Sequence, residues 1–280
     1  MEIDLDHLRN WIGSDDSAEE QLTSALVQRF NATLNRTSAR EAGAEAPALI
    51  HLCLCQPATS TAELGPDGHP ARGAFLPPVP LPRRMWAGGQ FTFHTPIRVG
   101  ANVARKSLVR DVTEKKGRSG SLCFVTVEHA ITSDGTLAVT ERQDIVYREA
   151  AKPEEDITRS ALPPAANGDQ QRRIEVNAPL LFRYSALTFN SHRIHYDTPY
   201  SRTEEHYPGL VVHGPLQATH LCNFAAALRE AMPAKFEFRS LAPIFDTDDF
   251  VLHASDEDDG LKLWTAVPGG PLAMEASARW

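Results

Sequence analysis

Three histidines in the second half of the chain lie close together and are the side chains best suited to do chemistry. His192 and His195 are three positions apart in a polar loop, and His213 comes just before Gly214-Pro215. Taken singly, a histidine is more often structural than catalytic. Three of the 11 histidines in one short region would be unusual for surface decoration. Because a neutral imidazole can take a proton near pH 7, the region predicts acid-base chemistry.

The residues after this cluster predict a helix and then strands. Glycine can cap a helix and proline is favoured in its first turn, so the helix is predicted to begin at Gly214-Pro215 and to end at Met232-Pro233. Its apolar face would consist of Leu221, Phe224, Ala225 and Leu228. Alternating apolar residues then predict four strands, namely 236–241, 250–254, 261–266 and 274–280.

The first half predicts one helix followed by an antiparallel meander. Asp15, Asp16 and Ser17 are candidate caps for a helix whose apolar residues recur at fourfold spacing, namely Leu22, Leu26, Phe30 and Leu34. Strand patterns come next at 91–93, 103–112, 122–132 and 137–147, with a hairpin turn over 133–136. Both halves thus predict a helix plus an antiparallel sheet, an α+β arrangement in which a sheet could wrap each helix.

Two segments lack the periodicity of helices or strands. Residues 57–89 are crowded with proline and glycine and predict a long loop, and loops of this length usually cover or line a site. Residues 150–173 are polar and aperiodic, which is typical of a linker. We therefore expect a first domain over 1–150, a linker over 151–173 and a second domain over 174–280.

Composition and charge limit the classes of partner. A formal net charge of −8 and 42% hydrophobic residues describe a globular protein without a positive field for nucleic acid or acidic membranes. No apolar run approaches the roughly 20 residues that span a bilayer. The acidic start Met1–Asp4 is unlike a signal peptide, so a cytoplasmic location is expected. The four cysteines have no zinc-binding spacing, and no metal is expected.

Residues 184–197, together with His213-Gly214, resemble the hydratase motif of MaoC-like, hotdog-fold (R)-specific enoyl-CoA hydratases. That motif runs aromatic, small, Ala, Leu, Ser or Thr, any, Asp, any, Asn, Pro, aliphatic, His, any, Asp, with His-Gly at the start of a long helix downstream. The resemblance implies that His195 is the catalytic histidine, that Asp197 is the trailing aspartate and that Gly214 donates a hydrogen bond to an oxyanion.

Two positions depart from the motif. Asn190 stands where the motif has its catalytic aspartate, and His192-Arg193 stands where it has Asn-Pro. An amide cannot take a proton as a carboxylate does, although it can orient a water molecule, which leaves His195 as the general base. With these departures, residues 189–197 resemble the subgroup that contains mesaconyl-C4-CoA and itaconyl-CoA hydratases, related to type 2 hydroxyacyl-thioester dehydratases.

The first half carries further resemblance to that subgroup in three places, at 64–70, 75–78 and 81–89. The resemblance implies a double hotdog, in which two helix-plus-antiparallel-sheet units form one continuous sheet and the first unit shapes the pocket without being a catalyst. Arg84 and Trp86 are candidate pocket residues, and a surface latch formed by Arg83, Arg84 and Trp86 that closes the proline-rich loop is a comparably good interpretation.

The chemistry of hydration agrees with these assignments. Adding water to an enoyl thioester needs a base, an acid for Cα and donors for the charge that grows on the thioester oxygen. Gly214 at a helix start can supply such a donor. Arg193, beside His195, is a candidate for pairing with a substrate carboxylate, and His192, Asp197 and His213 are further candidate substrate-binding residues. No cofactor is expected, since CoA is part of the substrate.

The leading hypothesis is therefore hydration of itaconyl-CoA or mesaconyl-C4-CoA to citramalyl-CoA. The alternatives are a 3-hydroxyacyl-thioester dehydratase of fatty-acid or polyketide type, a hotdog thioesterase and a non-catalytic acyl-CoA-binding protein in which Asn190 marks a lost active site. Either a monomer or a homodimer is compatible with a double hotdog, because the two units already pair with each other.

Overall fold

A computed structural model describes residues 3–117, 120–150 and 162–280. Its main feature is one antiparallel sheet of ten strands in the order β1-β3-β4-β5-β2-β7-β10-β9-β8-β6. The strands are β1 Asp15–Gln21, β2 Arg83–Phe93, β3 Asn102–Gly117, β4 Gly120–Ser133, β5 Thr136–Arg148, β6 Gln170–Ile174, β7 Lys235–Ser240, β8 Phe250–Glu257, β9 Gly260–Ala266 and β10 Leu272–Arg279.

The sheet repeats one strand order in its two halves. From the outer edge inward, the first half reads β1-β3-β4-β5-β2 and the second reads β6-β8-β9-β10-β7. The halves join where β2 pairs with β7, for example Gly89 with Phe238. The predicted continuous double-hotdog sheet is therefore confirmed, and so are the strand patterns of both halves and the turn at Asp134-Gly135.

The helices lie between the strands along the chain. They are α1 Leu5–Leu8, α2 Ser24–Thr33, α3 Ala178–Leu187, α4 Thr198–Thr203 and α5 Gly214–Arg229, and short 3-10 turns occur at Arg9–Trp11, Ile50–Cys53, Thr61–Glu63 and Arg193–His195. The predicted start of α5 is confirmed, with Pro215 in its first turn. Its end comes earlier than predicted, because Glu230 adopts a left-handed conformation after Arg229.

The predicted start of the first helix is wrong. Residues Asp15–Gln21 form the edge strand β1, and Thr23 caps the helix instead by accepting a hydrogen bond from the Leu26 N–H. The helix retains the predicted buried residues Leu26 and Phe30. Two other boundaries also differ. The loop predicted for 57–89 ends where β2 begins at Arg83, and the end of the predicted linker forms β6, which pairs with β8.

The rest of the predicted linker, residues 151–161, lies outside the described residues, so the domain boundaries stay a prediction. The core lies on the inner face of the sheet, where α2, α3 and α5 pack. Phe30 of α2, Leu181 of α3 and Leu221 of α5 are fully buried in one apolar cluster with the strands. Burial of such side chains contributes about 2 kcal/mol each and fixes the helices against the sheet. All four cysteines are buried free thiols.

The two halves differ in the segment after their first long helix. An isolated bridge joins Val211 to Phe245 just before α5, and the counterpart in the first half joins Glu45 to Arg98. The chain then forms α5, of 16 residues, in the second half but only the 3-10 turn Ile50–Cys53 in the first. The sheet therefore surrounds a long central helix in one half only, and loop residues fill the corresponding region of the other. Within the described residues, no helix is both long and apolar enough to cross a membrane.

Candidate active site

The loop that carries the histidines begins with a sharp reversal at the end of α3. Phe189 has a positive φ of 47°, and the Asn190 N–H donates to the Ser185 carbonyl at 2.9 Å. Asn190 Oδ1 then accepts from the His192 N–H at 3.0 Å, which makes an Asx-type turn. These local hydrogen bonds bring the next residues back under α5 and lead into the 3-10 turn that contains His195.

His195 is buried and has a defined tautomer. Its Nδ1 lies 2.7 Å from the Val211 carbonyl, and a carbonyl can only accept, so Nδ1 carries the hydrogen. Burial lowers the pKa of His195 to about 4, with the Val211 hydrogen bond opposing the shift and His69 adding to it. The side chain lines the cavity between the halves. His195 is therefore neutral near pH 7, with Nε2 available as a proton acceptor.

His213 supports the ring of His195 instead of lining the cavity. The two imidazoles stack with centroids 3.6 Å apart and planes 18° apart. His213 Nε2 is 2.8 Å from the Ser185 hydroxyl, and burial keeps the pKa of His213 well below its usual value. The position predicted as substrate-binding is thus a packing partner that restricts His195, and Ser185 is a contributor that the sequence did not single out.

Gly214 begins α5 and lines the cavity. A Cβ atom built on Gly214 would meet only the Ser240 hydroxyl, at 3.7 Å, which is ordinary contact. The surrounding protein therefore does not require glycine here, and the free space belongs to the cavity. Backbone N–H groups at a helix start carry partial positive charge, so this end of α5 is suited to hold an oxygen that gains negative charge.

Asn190 also lines the cavity. Because Oδ1 is engaged by the His192 N–H, the Nδ2 amino group is the part of the side chain left to donate. His192 is buried, its ring lies edge-on to His195 at 5.4 Å, and burial keeps its pKa well below its usual value. Asn190, His192, His195 and Gly214 are thus brought together in one wall of the cavity, as the sequence predicted.

A loop from the first half packs directly against the histidine loop. The Arg193 N–H donates to the Asp67 carbonyl at 2.9 Å, and the Ser191 hydroxyl donates to the Gly68 carbonyl. Gly68 has φ +86°, and a Cβ there would lie 1.9 Å from the Ser191 carbonyl oxygen. The approach of the two loops therefore requires glycine at this position.

This contact places His69 in the site. His69 Nδ1 lies 3.0 Å from Asp67 Oδ2, and its ring faces His192 with centroids 4.1 Å apart. Burial, with Arg84 as a second cause, lowers the pKa of His69 to about 4. Asp67 and His69 were not chosen from the sequence, although they lie in one of the segments that carry the family resemblance. Their closeness to His192 depends on a contact more than 120 residues away along the chain.

Two predicted pocket residues of the first half do line the cavity. Arg84 and Trp86 lie at the start of β2, near the junction of the halves, and both are half-buried. The Trp86 ring packs edge-on against Phe238 of β7 at 4.8 Å. The pocket-lining interpretation is therefore favoured over a surface latch. The latch interpretation does apply to Arg83, which is buried against Glu205 with an N–O distance of 2.6 Å.

Arg193 and Asp197 occupy a different place from the one predicted. The Arg193 guanidinium pairs with Asp197 at 2.8 Å, donates to the Pro66 carbonyl and lies over the Tyr200 ring. Asp197 also caps α4 by accepting from the Tyr200 N–H at 3.1 Å. Neither side chain lines the cavity. This geometry does not favour the prediction that Arg193 meets a substrate carboxylate, because its donors already hold the two loops together.

Asp67, His69 and His192 offer ligand atoms within 4.8 Å of one another, a separation that could hold a metal ion. Two features disfavour it. Asp67 already accepts two hydrogen bonds from His69, and the positive charge of Arg84 acts on all three residues. The expectation that no metal is needed stays a prediction.

The fold and this site together define a double-hotdog protein of the MaoC-like type. A MaoC-like dehydratase from Phytophthora capsici superposes with a TM-score of 0.68 at 12% identity, covering 99% of both chains. A Mycobacterium tuberculosis protein with a double hotdog fold superposes with a TM-score of 0.55 at 12% identity, covering 96% of both chains. At identities this low, the structural similarity shows a shared fold only.

Sequence comparison places the chain more narrowly. The family model for hydroxyacyl-thioester dehydratase type 2 matches residues 48–246. The mesaconyl-C4-CoA hydratase of Chloroflexus aurantiacus is 43% identical over 268 residues, which cover 95% of each chain. The chain therefore belongs to the hydroxyacyl-thioester dehydratase type 2 family, and the resemblance drawn from its histidine loop is confirmed.

Proposed function

We propose that this chain adds water across the double bond of a CoA thioester that carries a second, free carboxylate, with mesaconyl-C4-CoA or itaconyl-CoA as substrate and citramalyl-CoA as product. One observation carries the proposal. The neutral His195, fixed through Nδ1 to the Val211 carbonyl, lies in the same cavity wall as the start of α5 at Gly214. A base for water and a donor for the thioester oxygen are the two groups that hydration requires.

In the proposed mechanism for mesaconyl-C4-CoA, whose double bond is conjugated with the thioester, His195 Nε2 takes a proton from a water molecule as its oxygen bonds to Cβ. The electron pair of the double bond moves toward the thioester oxygen, where the Gly214 N–H and the positive end of α5 stabilise it. The imidazolium of His195 then returns the proton to Cα, which restores the neutral base and completes the addition of water. Asn190 Nδ2 donates to the attacking water and holds it near Cβ. Itaconyl-CoA, whose double bond lies between Cβ and the methylene carbon, enters the same route after a proton has moved from Cα to that methylene carbon.

An anionic acyl group suits this set of histidines. His69, His192 and His195 each have a pKa below the ordinary value because they are buried; Arg84 adds to the effect at His69, and His69 adds to it at His192 and His195. A carboxylate that enters beside them brings a negative charge next to these histidines. Such a charge favours protonated imidazole, so the bound substrate makes His195 a stronger base.

The reaction is tested by incubating the full-length chain separately with mesaconyl-C4-CoA, itaconyl-CoA and crotonyl-CoA. Loss of the enoyl-thioester absorbance of mesaconyl-C4-CoA and crotonyl-CoA, and the mass gained by each product, measure water addition, while a thiol assay measures free CoA. We expect a dicarboxylic thioester to gain one water without CoA release, and we expect His195→Ala to abolish this. Release of CoA would identify a thioesterase, and binding without turnover would identify a binding protein.

His94→Ala is a suitable matched control, since His94 is exposed and bonds Thr140 on the edge of the first half. Its turnover should equal that of the unaltered chain.

A cytoplasmic location stays a prediction from the sequence. We also keep the monomer and the homodimer as proposals, which sedimentation of the purified chain would distinguish.

A further inference from the structure

We propose that Arg84 is the receptor for the free carboxylate of the acyl group, and that it makes the enzyme selective for CoA thioesters of dicarboxylic acids. The inference rests on the proposed hydration and deepens it, because it names the residue that distinguishes an anionic acyl group from a neutral one.

Arg84 differs from Arg83 and Arg193 in lacking a direct carboxylate partner. Arg83 pairs with Glu205 at 2.6 Å, and Arg193 pairs with Asp197 at 2.8 Å. Within residues 3–117, 120–150 and 162–280, no carboxylate oxygen lies within ion-pair distance of the Arg84 guanidinium. The Asp67 carboxylate interacts with Arg84 only beyond ion-pair distance and is already engaged by His69, while Arg84 lines the cavity where a ligand would lie. A carboxylate that enters the cavity could therefore make the direct ion pair that Arg84 lacks.

The charges around Arg84 leave an excess of positive charge. Among the described residues, the acidic side chains that interact with Arg83 and Arg84 are Glu205, which is engaged by Arg83, and Asp67, which is engaged by the His69 N–H and ring. Arg72 is a further cation, held by the carbonyls of Val79, Leu81 and Pro82 and lying over the Tyr147 ring. These described groups comprise three guanidinium groups and two carboxylates, so one added carboxylate would balance their charge. This local sign is opposite to the net charge of −8.

The position of Arg84 in the sheet directs it toward the histidines. Arg84 is paired with Tyr147 in the register of β2 and β5, and Tyr147 is fully buried on the inner face. The Arg84 charge contributes to the lowered pKa of both His69 and His192, and the His192 ring is 5.4 Å from that of His195. The guanidinium and the base therefore act on the same part of the cavity.

The chemistry of the substrate demands this arrangement. In mesaconyl-C4-CoA the free carboxylate is attached to Cβ, the carbon that the water attacks. A receptor for that carboxylate must lie a few ångströms from the base, and a guanidinium can hold it through two parallel hydrogen bonds, which also orients Cβ. Arg193 could not do this without giving up Asp197, Pro66 and Tyr200.

The test measures the dissociation constants of two unreactive, saturated analogues by titration calorimetry. Methylsuccinyl-CoA with the thioester on C4 carries the carboxylate on Cβ, and isovaleryl-CoA has a methyl group in its place. We expect the unaltered chain to bind the first about 100-fold more tightly than the second. We expect Arg84→Gln to remove this preference by weakening only methylsuccinyl-CoA, and Arg84→Lys to keep about a tenfold preference because charge remains without the paired geometry.

Arg98→Gln is the matched control, since it removes one positive charge from an exposed side chain that does not line the cavity. It should leave the ratio of the two dissociation constants unchanged. The inference is overturned if the unaltered chain binds the two analogues equally, if Arg84→Gln retains the preference, or if Arg98→Gln loses it. Should Arg84→Gln fail to fold, Arg84→Lys and the unaltered chain still decide the matter.

Failure of this inference is distinguishable from failure of the proposed reaction. Because the analogues cannot be hydrated, their binding does not depend on turnover. If the chain hydrates crotonyl-CoA but binds both analogues equally, the proposed reaction stands and the assignment of Arg84 as carboxylate receptor fails. If the chain binds methylsuccinyl-CoA more tightly but adds no water to any thioester, the assignment of Arg84 stands and the proposed reaction fails.

Discussion

The two halves of the molecule share one order of five strands but use the space above their strands differently. In the second half the sheet surrounds α5, and the loop before it holds His195 against Val211. In the first half the corresponding helix is reduced to one turn at Ile50–Cys53, and a long proline-rich loop extends toward the other half. One half thus supplies the proposed base and the helix start, and the other supplies a loop that lines the same cavity beside them.

The comparison teaches how a duplicated fold divides its tasks. A site needs a single base, so the first half is free to replace its central helix by a loop that carries Asp67 and His69. That loop is held to the histidine loop by hydrogen bonds across the halves, namely Arg193 N–H to the Asp67 carbonyl and the Ser191 hydroxyl to the Gly68 carbonyl. In the proposed function, the half without the base binds and orients the acyl group.

The comparison predicts opposite behaviour for one glycine in each half, and Gly214 has the larger effect on activity. Gly214→Val fills cavity space that the protein leaves open, so it should lower kcat/KM at least about 100-fold by displacing the thioester oxygen from its donor. Thermal unfolding should change little, because a Cβ at Gly214 makes only ordinary contact. A large loss of stability with retained activity would contradict this functional role for Gly214.

Gly68 should show the reverse pattern. Gly68→Ala forces a side chain into a left-handed conformation and against the Ser191 carbonyl, so the free energy of unfolding should fall by about 2 kcal/mol or more. Urea denaturation measures this change, with Gly135→Ala as a control that has positive φ but no neighbour within 4 Å. If the free energy of unfolding fell equally in the two variants, the contact between Gly68 and Ser191 would contribute nothing to stability.

Asn190 provides a smaller, sharper test. Asn190→Asp retains an oxygen for the His192 N–H but loses the amide donor, so kcat should fall about tenfold at pH 7 while the melting temperature is unchanged. Asn190→Leu loses the turn as well and should also melt at a lower temperature. Full activity of Asn190→Asp would mean that Asn190 only shapes the loop.

The pH dependence should be slight above neutrality and steeper below it. His195 and His69 have pKa values of about 4 in the folded chain, below the ordinary value of about 6.5 in the unfolded chain. Between these values the unfolded chain binds more protons, so stability is full above about pH 6.5 and falls as the pH drops toward 4. The acid limb of kcat/KM should therefore lie below pH 6. An acid limb at or above 6.5 would contradict a buried, neutral His195.

Much of the architecture could be predicted because its signals are local. The Gly-Pro start of α5, the apolar alternation of the central strands and the turn at Asp134-Gly135 depend on residues a few positions apart. The failures were the two edge strands, β1 and β6, which occupy equivalent places in the halves. Both are polar and largely exposed, so neither shows the alternation that marks a half-buried strand, and only their pairing with β3 and β8 makes them strands.

The pocket residues could be predicted for the histidine loop and for Arg84, whereas the place of Arg193 could not. His195, Asn190 and Gly214 lie on segments whose spacing carries the family motif, and Arg84 lies in one of the first-half segments that carry the family resemblance. Arg193 was favoured because it is close to His195 in sequence, yet Asp197, four residues on, occupies its guanidinium. The closeness of Arg84 to His69 and His192 depends on the register of β2 with β5 and on the contact between two loops, which no local sequence pattern shows.

The division of labour between the halves is tested most directly by comparing His195→Ala and Arg84→Gln on two substrates. We predict that His195→Ala lowers kcat for mesaconyl-C4-CoA and for crotonyl-CoA alike, by about 1,000-fold. We predict that Arg84→Gln lowers kcat/KM for mesaconyl-C4-CoA about 100-fold and changes that for crotonyl-CoA less than about threefold. Equal losses on both substrates in the Arg84 variant, or a loss confined to one substrate in the His195 variant, would contradict the account.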